Sequence, residues 1–303
     1  PRTVLVGLPD AALSQAKERV RAAVTGAELP WPNGLVTINL SPANLPKTGT
    51  HYDLAIATAA LAAIDKVPKE AARNHVCLGE LGLDGRLRRV PGILPALLAA
   101  VRSGFDKVIV PASQEAEASL VPGITVWAIG HLKDLVAVLN GEPPLGGWEP
   151  PADEDVASRQ RPPLDFREVR GHLEGRWVME VAAAGRHHVF LHGAPGVGKT
   201  MLASRLTSIL PSLDGEEAVE VSALHSLAGL DLSGGLLIDP PYADPHHSSS
   251  PASIIGGGVR LVRPGSISLA HRGVLFLDEA PEFGTRVLDA LRTPLESGWV
   301  SIG

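Results

Sequence analysis

The chain has 303 residues, 45% of them hydrophobic and 20% charged, with a net charge of −6. That length holds two ordinary domains, and the longest apolar runs are broken well short of the roughly 20 residues a membrane span needs, so no membrane partner is expected. Residues 1–140 carry 14 Lys and Arg against 12 Asp and Glu, and residues 141–303 carry 13 against 21, so neither half is a strongly basic nucleic-acid module. Any DNA contact must come from a local patch or an assembled ring. Cys77 is the only cysteine, which excludes an intramolecular disulfide and fits a reduced, cytoplasmic setting. The sequence starts at Pro1 rather than Met and ends on a strand-like Val300–Gly303, so truncation at both ends is the expectation.

Residues 2–8 read as a strand, followed by a helix from Ala11 to Val24 with Leu13, Ala16, Val20 and Val24 on one face and Asp10 as N-cap. Leu35–Leu40 alternates like a strand. Leu54–Ile64 is apolar nearly all round and reads as a buried helix. Strands are expected near 75–80 and 85–90, with Asp84-Gly85 as the turn of a hairpin. A helix at 93–101, strands at 107–110 and 125–128, and a helix at 132–139 complete one α/β domain over 1–140. Residues 141–164 carry Pro143-Pro144, Pro150-Pro151, Pro162-Pro163 and the run Asp153-Glu154-Asp155, the composition of a linker. The second domain, 165–303, opens with a helix over 173–184 and a strand over 188–191. A further element starts near 218–222. The Gly-, Pro-, Ser- and His-rich stretch 234–268 is expected to be a structured insertion with hairpin turns rather than disorder.

Gly193-Ala194-Pro195-Gly196-Val197-Gly198-Lys199-Thr200 fits G-x-x-x-x-G-K-[ST], the phosphate-binding loop, in the strand–loop–helix setting that motif needs. The glycines let successive N–H groups turn towards phosphate oxygens, and the following helix, entered through Met201, adds its positive end. The candidate nucleotide-binding residues are Gly193, Pro195, Gly196, Val197, Gly198, Lys199, Thr200 and Met201. Lys199 is placed to reach the β- and γ-phosphates and Thr200 to hold Mg²⁺. About 80 residues on, Val274-Leu275-Phe276-Leu277-Asp278-Glu279 reads as a central strand, covered on both faces, ending in two acids. Asp278 would bind Mg²⁺ through water, and Glu279 would orient or deprotonate the attacking water as the catalytic residue. A glutamate base favours hydrolysis over transfer to a second substrate. The motif alone does not choose adenine over guanine, although no N-K-x-D set of the GTPase kind follows.

Asp165–Gly171, the phosphate loop, Pro245-His246-His247, Gly256-Gly257-Gly258, Pro264-Gly265 and above all Ser268–Phe283 resemble the Mg-chelatase-like AAA+ proteins, with the ComM (YifB) family the nearest group. The resemblance covers essentially the whole chain. It implies a Lon-protease-like N-terminal α/β domain (1–140), a Pro-rich linker (141–164) and a P-loop AAA+ core of three-layer αβα type (165–303). Sensor residues, arginine finger and lid helices would lie beyond the sequence given. It further implies ATP and Mg²⁺ as ligands, a homo-oligomeric, hexameric ring, and a DNA helicase that drives branch migration in recombination during natural transformation. A Mg-chelatase-type motor subunit and an ATP-gated regulatory assembly module are the alternatives.

There are departures from the family pattern. Family members commonly carry an arginine in a P-F-R-x-P-H-H segment, where this chain reads Pro241-Tyr242-Ala243-Asp244-Pro245-His246-His247. In Pro46-Lys47-Thr48-Gly49-Thr50-His51, which resembles the Lon nucleophile segment, His51 stands where the serine would be. The stretch 90–100, which resembles the lysine segment, has no lysine. A Ser–Lys mechanism needs both, so proteolysis is not expected. His246 and His247 lack a second Cys/His pair at zinc spacing. Arg260 and Arg263 are candidate DNA contacts or a solvated hairpin, and Arg86, Arg88 and Arg89 a DNA-facing strand or a solvated face.

Overall fold

Residues 3–42, 44–45, 47–147, 164–258 and 262–300 are described by a computed structural model. The chain divides into two units, 1–156 with 229–235 and 157–228 with 236–303. Both mix helices with short strands and both contain parallel pairing, which is the α/β class. No described helix is long and apolar enough to cross a membrane.

In the first unit, β1 (Thr3–Val6) pairs in parallel with β2 (Val36–Asn39), and α1 (Ala11–Gly26) runs between them in sequence. The Asp10 side chain accepts from the Leu13 N–H at 2.7 Å, capping α1 as its sequence requires. Leu13, Ala16, Val20 and Val24 are fully buried. The next helix, α2 (Asp53–Ala63), buries residues on every side, as expected of a helix without a polar face. By contrast α3 (Lys69–Asn74) buries nothing and so leaves no periodic trace in the sequence.

The strand expected over 75–80 is two strands in two sheets. β3 (Val76–Cys77) belongs with β6 (Lys107–Pro111) and β7 (Thr125–Ile129) in a parallel sheet of order β3-β6-β7. β4 (Glu80–Leu81) pairs antiparallel with β5 (Leu87–Arg88). Between them Gly79 donates its N–H to the His51 carbonyl and accepts from Leu54 N, which ties the chain to the start of α2 and turns it out of the first sheet. β6 is the middle strand, and Val108, Ile109 and Val110 are all fully buried, the continuous apolar run of a strand covered on both faces. Three further helices, α4 (Ile93–Arg102), the short α5 (Glu115–Ala118) and α6 (Leu132–Leu139), complete the unit. Arg86 and Arg88 share the exposed face of the hairpin, as alternation requires. Arg86 lies 3.4 Å from Asp84, and Glu80 stands opposite Arg88, so an acid accompanies each arginine of this face.

Among the buried carboxylates of this unit, Asp53 and Asp134 each tie separate segments together. Asp53, at the first turn of α2, accepts from Arg19 Nε at 2.6 Å, Arg19 Nη2 at 2.8 Å and Leu81 N at 3.2 Å. Burial pushes its carboxyl upward against the pull of the Arg19 guanidinium, while the hydrogen bond to Asp53 raises Arg19. Asp134 accepts from His131 N at the start of α6 and, through its other oxygen, from Leu145 N at 2.9 Å and Gly146 N at 3.3 Å. The chain leaving the last helix is therefore fastened to the unit.

The second unit contains α7 (Leu173–Gly185), α8 (Lys199–Arg205), α9 (Gly215–Leu227), β8 (Tyr242–Ala243), α10 (Pro251–Ile255), β9 (Gly256–Gly257), β10 (Arg263–Pro264), α11 (Ser266–Leu269), β11 (Val274–Leu275) and α12 (Thr285–Ser297). Asp214 and Glu217 form a capping box at α9, each side chain accepting from the other's N–H. The described part of 234–268 is structured: β9 and β10 pair antiparallel, flanked by α10 and α11. β8 and β11 pair in parallel. Gly273 makes that approach possible, because a Cβ there would sit 2.0 Å from the Pro241 carbonyl oxygen.

Two sequence expectations are corrected. Val274–Leu277 is not a strand covered on both faces. Only Val274–Leu275 is strand, it pairs with β8 alone, and all four residues are half-buried, with Leu275 and Leu277 against Ile254, Phe283, Val287 and Leu291. Residues 188–191 are not a strand either. Val189 and Leu191 pack against Phe166, Val169, Met179 and Leu202 while Phe190 stays 82% exposed, so the period of two is there. Among the described residues no neighbouring segment supplies a hydrogen-bonded ladder.

Burial lowers the pKa of His51 in the first unit and of His225 in the second, the latter with Nε2 3.0 Å from the Leu269 carbonyl. Both rings therefore bind a proton less readily when folded than when unfolded, so unfolding takes up protons as pH falls below the ordinary value of 6.5. Their contribution to stability is complete above that value and lost as pH falls through the lowered folded values. Urea unfolding is expected to have a lower midpoint at about pH 5.5 than at about pH 7.5, and His225→Gln to narrow the difference. An unchanged difference in that variant would remove His225 from this account.

Candidate nucleotide-binding site

The loop enters from the extended segment 188–194, whose alternate residues Val189 and Leu191 anchor it to the cluster around Met179 and Leu202. Phe190 and His192 stack on the opposite side with centroids 6.5 Å apart. Gly196 and Gly198 take φ of +79° and +90°, the left-handed region, and Gly198 is the residue from which α8 starts. Gly198 is doubly constrained, since a Cβ would meet Met201 Cε at 3.2 Å and His172 Nε2 at 3.3 Å. Gly193, Pro195 and Val197 line the exposed outer side of the turn, and Met201 is half-buried beneath it. Lys199 folds back over the loop, donating from Nζ to the carbonyls of Gly193 at 2.9 Å and Ala194 at 3.0 Å.

The fold brings the two motif segments together. Thr200 Oγ1 donates to Asp278 Oδ2 at 3.0 Å across 78 residues of sequence. The other Asp278 oxygen accepts from Glu279 N at 3.0 Å. A hydroxyl and a carboxylate side by side are the hard oxygen donors that Mg²⁺ takes together with water, so these residues fit that ion. Glu279 adopts φ +53°, ψ +46°, left-handed for a residue with a side chain, a conformation that only its surroundings hold in place. Its carboxylate lies beside neither Lys199 nor Thr200. Oε2 is instead 3.6 Å from His247 Nδ1.

His172 carries no motif signal, and the Pro245-His246-His247 segment gives His247 no link to Glu279. His172 meets the loop through the packing of 165–172 against α8, and His247 meets Glu279 through the β8–β11 pairing, neither of which spacing reveals. The His246 and His247 rings touch in a tilted arrangement, centroids 4.0 Å apart and planes at 36°, and among the described residues no three His, Cys, Asp or Glu side chains converge as a metal cluster. Arg263 is exposed at the start of β10, and Arg260 lies outside the described residues.

Two family models match. Residues 165–303 match magnesium chelatase, subunit ChlI, and residues 1–114 match a second description, subunit ChlI of Mg-chelatase. An uncharacterized protein of Mycobacterium tuberculosis is 52% identical over 304 residues, which is all of this chain and 59% of the relative. YifB of Escherichia coli is 42% identical over 302 residues, covering 58% of its own length. Competence protein ComM of Haemophilus influenzae is 42% identical over 304 residues, covering 59%. The chain therefore belongs to the Mg-chelatase-like ComM/YifB family, and it spans a little under three fifths of the length of these relatives. A narrower similarity, 30% identity over 105 residues that cover 34% of this chain and 18% of the relative, is to Lon protease 2 of Bacillus subtilis.

Proposed function

We propose that this protein is an AAA+ ATPase that binds ATP with Mg²⁺ at residues 193–201 and, in its full length, couples hydrolysis to movement on branched DNA. The contact between Thr200 and Asp278 is the observation that carries the nucleotide site, because it joins two independent motifs at one point. On binding, the Lys199 ammonium exchanges the Gly193 and Ala194 carbonyls for phosphate oxygens, and the loop N–H groups line the phosphate chain. Thr200 and Asp278 would hold Mg²⁺, which would supply positive charge to the phosphate chain. Glu279 orients a water and takes its proton as the oxygen attacks the γ-phosphorus, the bond from that phosphorus to the β–γ bridging oxygen breaks, and ADP leaves with the bridging oxygen. DNA as partner, the homo-oligomeric ring and the three-layer αβα core are part of this proposal and rest on the family resemblance of the sequence motifs. Arg263, exposed on the β9–β10 hairpin, is the described residue best placed to meet a phosphate backbone. The first unit acts as a scaffold rather than a hydrolase, since a half-buried His51 replaces the serine.

The matched descriptions also favour a second reading, a motor subunit of a metal chelatase. The test is the ATPase rate of the full-length protein with and without single-stranded and forked DNA. Stimulation by forked DNA is expected. A rate indifferent to both leaves the chelatase-type or regulatory reading. Lys199→Ala is expected to lose ATP binding, read by titration with a fluorescent ATP analogue, by about tenfold to a hundredfold or more, since it deletes a charge-assisted contact.

A further inference from the structure

A short segment from the second half of the sequence, 229–235 between α9 and β8, belongs to the first unit. Leu232 is 1% exposed there while Leu230 is 44% exposed, so one apolar side chain anchors the segment. Asp231 accepts from Arg89 Nη2 at 3.1 Å, across 142 residues of sequence. Its two oxygens also take Ser233 N at 3.3 Å and Ser233 Oγ at 2.5 Å, which closes the turn on itself. The hydrogen bond from Ser233, with that from Arg89, holds the Asp231 carboxyl below the usual carboxylate range. The other side of the contact is built from buried polar groups. Gln114 donates from Nε2 to the Val90 carbonyl at 2.8 Å and accepts the Val90 N–H at 2.9 Å. Glu117 accepts from Gln114 Nε2 at 3.1 Å and, with its other oxygen, from Leu94 N at 3.1 Å. Both side chains are buried and fix the backbone of 90–94 next to Arg89, where Pro91 stands beside Gly229. A satisfied buried network of this kind gives a rigid seat.

The chain on either side of this segment is equally well held. α9 ends at Leu227, and after 235 Leu236 and Leu237 pack against Leu213, Ala218 and Val221, with Leu237 N donating to Ser222 Oγ at 2.9 Å. β8 follows at Tyr242 and pairs with β11, the strand that leads to Asp278. Resting on the ATPase reading above, we infer that 229–235 is a docking strap through which the first unit governs hydrolysis, with Arg89 and Asp231 as positioning residues. The strap fixes the chain between α9 and β8, and neither residue touches the phosphate loop. The pair is half-buried rather than sealed in, so its loss frees the strap without unfolding the unit. Lys199, Thr200 and Asp278 keep their contacts when it opens, which separates an effect on turnover from an effect on binding.

The test uses the full-length protein and pairs hydrogen exchange with steady-state kinetics. Arg89→Ala and Asp231→Ala are each expected to speed amide exchange in 229–235 about three- to tenfold, with exchange in α4 unchanged. Each lowers kcat for ATP about three- to tenfold, while KM and affinity for the fluorescent ATP analogue stay as in wild type. Arg89→Lys, which keeps a cation at the strap, retains most of the rate. Arg89→Asp combined with Asp231→Arg recovers both the slow exchange and the turnover. Exchange at the wild-type rate in Arg89→Ala overturns the strap. Faster exchange with wild-type kcat overturns its role in hydrolysis, as does a reversed pair that recovers neither quantity. Lys199→Ala in parallel keeps the two proposals apart. If it hydrolyses ATP like wild type, the reading of the nucleotide site has failed. If Lys199 is required and Arg89→Ala turns over normally, only the strap has failed.

Discussion

Glu279→Gln in the full-length protein is expected to lower ATP turnover about 10²- to 10⁴-fold while ATP affinity stays unchanged, the effect of removing a general base without touching the phosphate cradle. The substitution keeps the size of the side chain and its ability to orient water, so only proton acceptance is lost. Affinity survives because the loop N–H groups, Lys199 and Thr200 are all left in place. Steady-state hydrolysis and titration of the fluorescent analogue on the same sample read the two quantities separately. Near-normal turnover would falsify the assignment of the base to Glu279, while leaving Lys199 and Thr200 as the nucleotide grip.

The second large effect lies far from that chemistry. Arg19→Met is expected to destabilise the first unit by about 3–5 kcal/mol, the cost of leaving a buried charge without its partner. Asp53 is fully buried and its two oxygens take three donors, two of them from Arg19. With the guanidinium gone, burial acts on the carboxyl with only Leu81 N opposing it, and the acid must either stay charged in an apolar site or take up a proton. A loss of that size is a large part of the roughly 5–15 kcal/mol that holds a domain folded. Replacing both partners with apolar residues of similar volume, Arg19→Met with Asp53→Leu, is expected to recover most of it, because no charge is then stranded. Urea unfolding followed by tryptophan fluorescence measures both variants. A single-variant loss below about 1 kcal/mol would mean that the pair behaves as a surface ion pair despite its burial.

What was legible in the sequence follows from the range of the interactions involved. α1 was readable with its cap because Asp10, Leu13, Ala16, Val20 and Val24 are all local signals of one helix. The phosphate loop was readable because its function is carried by contiguous backbone, and the glycines at 196 and 198 do adopt the left-handed conformation their positions call for. The split of 75–80 was not readable, since it depends on Gly79 bonding to the start of α2 rather than on any alternation. Likewise a period of two at 188–191 says that alternate residues face a core, which they do, but not that a partner strand lies alongside. The placement of His247 beside Glu279 needs the register of β8 against β11, and register between distant segments leaves no mark on spacing.

Residues 188–192 also bear on how this chain behaves in concentrated solution. A stretch whose backbone makes no ladder with the described residues, with an exposed phenyl ring at Phe190, is the kind of edge on which strands from other molecules add. The residues that lead into the candidate loop are therefore an expected seed for intermolecular sheet, in which case the limit on concentration would be colloidal rather than conformational.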